Sequence, residues 1–385
     1  MEQIANFEDI RSYNDDEYRI KAAQLLEEPM FKTVIATVMP EVDYKLFGMK
    51  MLSLNSIREF QTEIIVPFMN KLIAGTTKGL ENDGLENLSR DKNYLYMSNH
   101  RDIVLDASFL CMILNNNNFD TCEIAIGSNL LIYDWISDLV RLNKSFIVKR
   151  GVGVRQALEA AKQLSAYIHY TINEKKQSAW IAQREGRSKD SNDRTQDALI
   201  KMLSLGDRDI LHSIRSLNIA PVSISYEYDP CDSLKAYELL QKSKNPEFKK
   251  TPKDDLVSMQ TGIMGYKGKV HYQFTPCINE ELNAIDANAD KASILQSVSQ
   301  IIDRHIHLNY HIFKNNYIAY DALYNTNRFA EQYSDEDKCG FEKYIQTQIA
   351  KLGTLSDDDA QTIRNTMLLM YSNTLKNKLA AEGKA

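Results

Sequence analysis

The chain has no long apolar run. The clearest one, Phe109 to Leu114, is far below the ~18–20 residues a membrane-crossing helix needs, so no spanning segment is expected. Cysteine is scarce. The five, Cys111, Cys122, Cys231, Cys277 and Cys339, are odd in number, widely spaced and without a C-x-x-C pair. That argues against a disulfide framework or a cysteine zinc site. Cys111, inside Ser-Phe-Leu-Cys-Met-Ile-Leu, reads as a small core residue. A positive excess is missing too: 46 Lys+Arg stand against 52 Asp+Glu, a net charge of −6, which argues against a general nucleic-acid partner. No repeat or low-complexity tract stands out. A hydrophobic share of 43% with 25% charged residues is ordinary globular usage, unlike disordered, collagenous or fibrous chains. The first residues, Met-Glu-Gln-Ile-Ala-Asn-Phe-Glu-Asp, are acidic and lack the apolar centre of a signal peptide. These absences point to the cytoplasm, with the protein either free there or peripheral on the inner face of the cell membrane.

What is present is a chain of 385 residues, long enough for one large core or two domains. Charge is unevenly spread along it. Residues 1–30 carry eight acids and three bases, whereas residues 141–190 carry eleven bases and four acids. Apolar positions between 17 and about 76, such as Ile57, Phe60, Ile64, Ile65, Phe68 and Leu72, recur mostly at spacings of three and four, with Pro67 as an interruption. Residues 78–93, rich in Gly, Asn and charge, read as a link.

From Tyr94 short apolar segments alternate with longer amphipathic ones. Strands are expected at 94–98, 122–126, 145–149, 178–182 and 220–228, with an edge strand at 269–276. Helices are expected around 103–116, 129–142, 153–173 and 196–217. This alternation predicts an α/β fold, with a mixed, mostly parallel central sheet and helices on both faces. Helical N- and C-terminal regions flank it. The expected division is 1–90 helical, 91–315 α/β and 316–385 helical. The last amphipathic stretch, residues 363–381, is read as packing on the protein's own core, with a membrane or partner surface as the alternative.

Four local patterns carry chemistry. Ser98-Asn99-His100-Arg101-Asp102-Ile103-Val104-Leu105-Asp106 puts a histidine on a strand-to-helix loop with carboxylates nearby, the minimal kit for general-base work. The alternative is an exposed loop histidine beside an Asp102 that merely caps the helix. Phe146-Ile147-Val148-Lys149-Arg150-Gly151 ends a strand in two bases. Gln183-Arg184-Glu185-Gly186-Arg187-Ser188-Lys189 follows another strand, and Ile219-Ala220-Pro221-Val222 opens a third. The ends of parallel strands share one edge, so a histidine, carboxylates and several bases would converge there, as a phosphate-bearing substrate requires.

In that order, Asn-His-x-x-x-x-x-Asp, Phe-Ile-Val-Lys-Arg, Glu-Gly-Arg-Ser and Ile-Ala-Pro-Val resemble the four motif blocks of the glycerophospholipid acyltransferases. That family includes glycerol-3-phosphate and 1-acylglycerol-3-phosphate (lysophosphatidate) acyltransferases. The resemblance covers roughly residues 94–228. It implies acyl transfer from acyl-CoA or acyl-carrier protein to a hydroxyl of a glycerol phosphate, most readily 1-acylglycerol-3-phosphate and next glycerol 3-phosphate. By resemblance His100 is the general base and Asp106, or Asp102, its partner. Lys149, Arg150, Glu185, Gly186, Arg187 and Ser188 would hold the substrate phosphate, while Asn99, Arg101 and Pro221 shape the site. No metal and no bound cofactor are implied, because the thioester donor is already activated. The implied partners are the acyl donor, a phospholipid precursor and a peripheral membrane contact.

Three departures leave alternatives open. The family spacing is His-x4-Asp, whereas five residues separate His100 from Asp106, so Asp102 stands as a second candidate. The third block usually reads Glu-Gly-x-Arg-Ser, which leaves Arg184 and Arg187 competing for the phosphate. Ile147 occupies the usual aromatic place of the second block, so Lys149 could stand in for Arg150. The same fold could instead acylate another lipid alcohol or an amine, or bind lipid without catalysis. Other patterns are weaker. Gly151-x-Gly153 has Gln156 where a dinucleotide loop needs its third glycine. His305, His307 and His311, on an expected helix, read as surface or satisfied core histidines before metal ligands.

Overall fold

The computed structural model describes residues 7–207 and 209–384; residues 1–6 of the N-terminal reading and Arg208 of the expected helix at 196–217 lie outside them. Seven strands form one sheet. They are β1 Gly79–Asp83, β2 Leu95–Ser98, β3 Glu123–Gly127, β4 Ser145–Val148, β5 Ala179–Ala182, β6 Ile219–Tyr226 and β7 Lys269–Phe274, in the order β1-β7-β6-β2-β5-β3-β4. Strands β6, β2, β5, β3 and β4 are mutually parallel; β7 runs antiparallel to β6, and β1 parallel to β7. The fold is therefore α/β with a mostly parallel sheet and helical regions at both ends of the chain.

Every residue of β2 and β6 is buried, as a sheet covered on both faces requires. Successive strand residues serve opposite cores. Leu95, Met97, Ile181 and Ile219 pack with helices Val154–Asn173 and Lys291–Leu308. Tyr96, Trp180, Ala220 and Val222 pack with helices Leu105–Asn116 and Val66–Thr76. In register, Ser98 stands beside Ala182 and Val222, so β2 and β5 end level, and the loops that follow them emerge together.

The main difference from expectation is β1, inside the segment read as a link. Gly79–Asp83 is half-buried to exposed and holds its place by backbone pairing with β7 from Gly79↔Lys269 to Asp83↔Gln273. A strand without an apolar face leaves no alternation to read. Strand β7 is consequently flanked on both sides and is not the edge, and the sheet begins N-terminal to residue 90. The expected helix at 196–217 is two helices, Asp197–Leu203 and Ile210–Ser216. Gly206 between them lies against the His169 ring, where a Cβ would come within 2.3 Å, and the Asp209 side chain accepts from His212 N to start the second helix. Pro67 falls in the first turn of helix Val66–Thr76, preceded by one wide turn at Gln61–Ile65. Such a turn shifts the bonding pattern where proline cannot donate.

Helix Asp357–Ala381 buries Ile363, Met367, Leu368 and Tyr371 in a core shared with Ala236, Ile318 and Phe341, so its apolar face is covered by the chain itself. Cys111 and Cys122 approach to 3.7 Å, sulfur to sulfur, as free thiols, an adjacency their sequence spacing did not reveal. No helix among the described residues is long and apolar enough to cross a membrane.

Candidate active site

His100 lies two residues beyond the end of β2, on the loop leading to helix Leu105–Asn116. Its Nδ1 is 2.8 Å from Asp106 Oδ2, and Asp106 is fully buried in the first turn of that helix. The same oxygen accepts the backbone N–H groups of Arg101 at 2.6 Å and Asp102 at 3.0 Å. Asp106 Oδ1 accepts the Tyr226 hydroxyl at 3.1 Å. The loop thus wraps its amides around the carboxylate, and the longer His100–Asp106 spacing is absorbed before the helix starts.

Asp102 does something else. Its Oδ1 accepts the N–H groups of Val104 and Leu105 at 2.9 and 2.8 Å, satisfying donors that a helix start leaves open. Burial, with Asp106 nearby, pushes its carboxyl above the usual range. Of the two candidate partners, Asp106 is the one in contact with His100. A carboxylate can only accept, so Nδ1 carries the proton when the imidazole is neutral and Nε2 keeps its lone pair. Trp180 stands edge-on to the imidazole with centroids 5.7 Å apart, and its Nε1 donates to Ser98 Oγ at 3.0 Å.

The neighbouring block residues are anchors. Asn99 donates to the Ile224 carbonyl at 2.9 Å and accepts Ile224 N at 2.8 Å, tying the loop to β6. Arg101 is buried and turned away from the loop's open side by a bidentate pair with Asp193 at 2.9 and 2.6 Å. Pro221 sits inside β6, level with Met97, and is not brought to the edge where His100 lies. Its carbonyl accepts Thr275 N at 3.1 Å. The missing N–H faces the same side, just before the β6–β7 pairing begins at Val222, so proline is tolerated.

The second and third blocks meet: Arg150 pairs with Glu185 at 2.7 Å. Lys149 instead pairs with Asp9 at 2.5 Å and donates to Gln163 at 2.8 Å. Gly186 has φ +68°, the left-handed region that glycine enters freely. Ser188 is buried and donates to Asp190 at 3.0 Å. Arg187 is also buried, and its Nη1 has no hydrogen-bond partner among the described residues; the same holds for Arg184 Nε and for both amide atoms of Gln183. Gln183 follows β5 directly, its N–H donating to the Ser98 carbonyl at 2.8 Å. The loops after β2 and β5 therefore bring together one histidine–carboxylate pair and several guanidinium and amide donors that still lack acceptors.

Residues 79–225 match a protein-family model described as Acyltransferase. Over that segment the chain is similar to the acyltransferase family. All four motif blocks lie inside the segment, on the loops and strands just described. A crystal structure of the 1-acyl-sn-glycerophosphate (LPA) acyltransferase PlsC from Thermotoga maritima is also similar. It shares 12% identity, covers 77% of this chain and 100% of that chain, and gives a TM-score of 0.36. No curated protein matches the chain.

Several residues that build the site left no usable sequence signal. Tyr226 of β6 donates to Asp106. Tyr272 of β7 donates to the Asp106 carbonyl at 2.9 Å. Lys235 is fully buried, pairs with Asp229 and donates to the Arg101 carbonyl at 2.8 Å. Tyr310 donates to the Asp193 carboxylate that holds Arg101. Of the three late histidines, His305 pairs with Glu281 and His307 contacts the Asp193 carbonyl at 2.9 Å. His311 lies beyond the end of helix Lys291–Leu308 rather than on it. No group of three metal-ligating side chains is found among the described residues.

Proposed function

We propose that the acyltransferase domain moves a fatty acyl group from acyl-CoA or acyl-carrier protein to a hydroxyl of a glycerol phosphate, with 1-acylglycerol-3-phosphate as the first candidate and glycerol 3-phosphate as the second. The observation that carries this reading is the His100–Asp106 contact of 2.8 Å on a loop of an acyltransferase-family segment. His100 Nε2 takes the proton of the acceptor hydroxyl as that oxygen attacks the thioester carbonyl. The proton then passes to the departing thiolate. A positioned base of this kind contributes about 10²–10⁴-fold, and Asp106 stabilises the imidazolium formed on the way. No bound cofactor enters the scheme.

Arg150, with Glu185, Gly186, Arg187, Ser188 and Lys149 around it, is assigned to the acceptor phosphate. Two features support this. Arg187 Nη1 is a buried donor without an acceptor, and such a donor costs about 1–3 kcal/mol until it finds one. The Arg150–Glu185 pair is partly exposed, with Glu185 64% exposed, so a phosphate can compete for the guanidinium.

Purified protein is incubated with labelled palmitoyl-CoA or palmitoyl-carrier protein and each of lysophosphatidate, glycerol 3-phosphate and lysolipid amines, and products are read by mass. A phosphatidate product lost in His100→Ala is expected. Turnover that survives His100→Ala removes the histidine from the mechanism, and acylation of the amine alone reassigns the acceptor. Arg150→Ala should raise KM for the phosphate acceptor more than it lowers kcat. An unchanged KM moves that role to Lys149 or Arg187.

A lipid product also calls for peripheral contact with a bilayer. Helices Pro29–Val38 and Tyr44–Ser53 expose Met30, Leu46, Met49 and Leu52, which suits shallow insertion. Flotation with anionic and neutral liposomes tests this, and a protein that stays wholly unbound to both refutes it.

A further inference from the structure

A cavity of about 490 Å3 opens beside β1 and β7, and its wall contains no residue of the four motif blocks. Small-molecule sites commonly span about 300–1,000 Å3. One side is formed by Asp83 and His271; the turn before helix Lys314–Tyr324 and the last turns of helix Asp357–Ala381 supply others.

The charges on this wall are unequally engaged. Asp83 is held by His271 Nε2 at 2.9 Å, and Glu382 by Lys384 at 3.0 Å. Lys378 has no carboxylate within ion-pair distance among the described residues, and its Nζ donates to the Tyr310 carbonyl at 2.7 Å. An ammonium carries three donors, so most of its capacity is unused. Burial pulls Lys378 below the usual lysine range, although the Glu382 carboxylate nearby works against it, the mark of a charge partly stripped of water. His311 adds a polar ring 4.7 Å from that of His271; burial, with His271 beside it, pulls it below the usual histidine range, so it offers hydrogen bonding and not a second charge. The wall as a whole is more polar than apolar, with an apolar part supplied by Tyr317, Phe329, Leu375 and Leu379.

We propose that this cavity binds a small amphiphilic anion, a carboxylate or phosphate monoester on a short apolar body, with Lys378 as its counter-ion. The anion supplies the charge and acceptors that Lys378 lacks, and the apolar part covers the leucine and aromatic wall. Asp83 and Glu382 weigh against bulky polyanions by like-charge repulsion.

Octyl phosphate, octanoate, 1-octanol and inorganic phosphate are titrated calorimetrically into the full chain. The variants are Lys378→Met and, as control on the same helix, Lys376→Met, whose ammonium donates to the Tyr324 hydroxyl instead. Both octyl anions should bind at one site. Replacing the anion by octanol, or Lys378 by methionine, should each weaken binding by about tenfold or more, the worth of one charge-assisted hydrogen bond, while Lys376→Met changes nothing. Phe329→Trp places a fluorophore in the cavity wall, and its signal should follow the octyl phosphate isotherm. That readout separates this site from an acyl-chain crevice near His100. Anion binding indifferent to Lys378→Met, octanol as good as octyl phosphate, a fluorescence signal of Phe329→Trp that stays silent, or no octyl-anion binding overturns the proposal. Should Lys378→Met fail to fold, the octyl phosphate to octanol ratio on Phe329→Trp decides by itself.

Discussion

Asp106→Asn is the sharpest test of the proposed His100–Asp106 general-base pair. Asparagine has the shape of aspartate but no charge. Its carbonyl oxygen can keep the Arg101 and Asp102 amides, now held at 2.6 and 3.0 Å. Its NH2 then faces Tyr226, whose hydroxyl can turn to accept. The fold should therefore survive with a loss of about 1–2 kcal/mol, the difference between charge-assisted and neutral hydrogen bonds. The chemical step should suffer more. With Nδ1 2.8 Å from Oδ2, the centres of imidazolium and carboxylate stand roughly 4–5 Å apart. At an effective dielectric of about 20 that attraction is about 3–4 kcal/mol, hence about 10²–10³-fold in rate. Initial rates of palmitoyl transfer at saturating acceptor should show kcat down by that factor, with KM moved by less than about threefold because the lost interaction belongs to the transition state. Asp102→Asn is the matched control. Asparagine caps helices as well as aspartate does, so its kcat should stay within about threefold of wild type. An Asp106→Asn enzyme with wild-type kcat, or equal losses in both variants, refutes the assignment.

Three further outcomes test the surroundings of the site. Gly262→Ala puts a Cβ 1.9 Å from Asp102 Oδ2, an oxygen on a carboxylate already fixed by two amides; overpacking should cost about 1–3 kcal/mol, and an unchanged melting temperature would show that helix Pro252–Met264 does not press on the loop. Lys235→Met leaves the buried Asp229 carboxylate without its ammonium, so urea melts should lose about 3–5 kcal/mol, with kcat falling because the Arg101 carbonyl is released; full stability contradicts the burial of that pair. Asp232 is pushed up to about 7 by burial, with Asp229 adding to it, above its value of about 3.9 in the unfolded chain. The folded protein then holds the proton more tightly, so this contribution to stability is complete below pH ~4 and lost as pH rises through ~7. Between pH 5 and 8 wild type should lose stability relative to Asp232→Asn, and parallel urea midpoints would refute it.

How much of this was legible in the sequence follows from where each signal resides. Strands β2 to β6 were legible because they are short, apolar and separated by helical periodicity, a consequence of burying both faces. Strand β1 was not, since Gly79–Asp83 is a half-exposed edge whose partner lies nearly two hundred residues away. His100 and Asp106 were legible as neighbours on a loop, but only the folded loop shows that Arg101 and Asp102 turn their amides onto Asp106 and that Asp102 serves the helix instead. Arg101 and Pro221 are expected to shape the substrate site; the structure adds their partners, Asp193 for the guanidinium and Thr275 for the Pro221 carbonyl, which no local pattern announces. A side chain's type says it can bond, not which way it points. The 490 Å3 cavity was illegible because its walls come from β1, β7 and the last helix, which have no common pattern.

The segment that matches the acyltransferase family, residues 79–225, does not close its own site. Within it, β6 would present an unpaired edge along Val222–Ser225, since its antiparallel neighbour is β7, and open edges of this kind invite misassociation. The loop bearing His100 is held from outside the segment by Tyr226 on the Asp106 carboxylate, Lys235 on the Arg101 carbonyl and Tyr272 on the Asp106 carbonyl, and by Tyr310 through the Asp193 carboxylate that pairs with Arg101. Lys235 in turn depends on Asp229, whose backbone N–H donates to Tyr371 Oη at 3.0 Å, so the last helix of the chain reaches within two partners of Arg101, the residue beside His100. Those are buried polar bonds, and each exists only while both segments are folded together. The helical C-terminal region is for that reason part of the site's positioning, not an appendage to a self-sufficient domain. It follows that substitutions far along the sequence, at Tyr371 as much as at Lys235, bear on the geometry of the histidine.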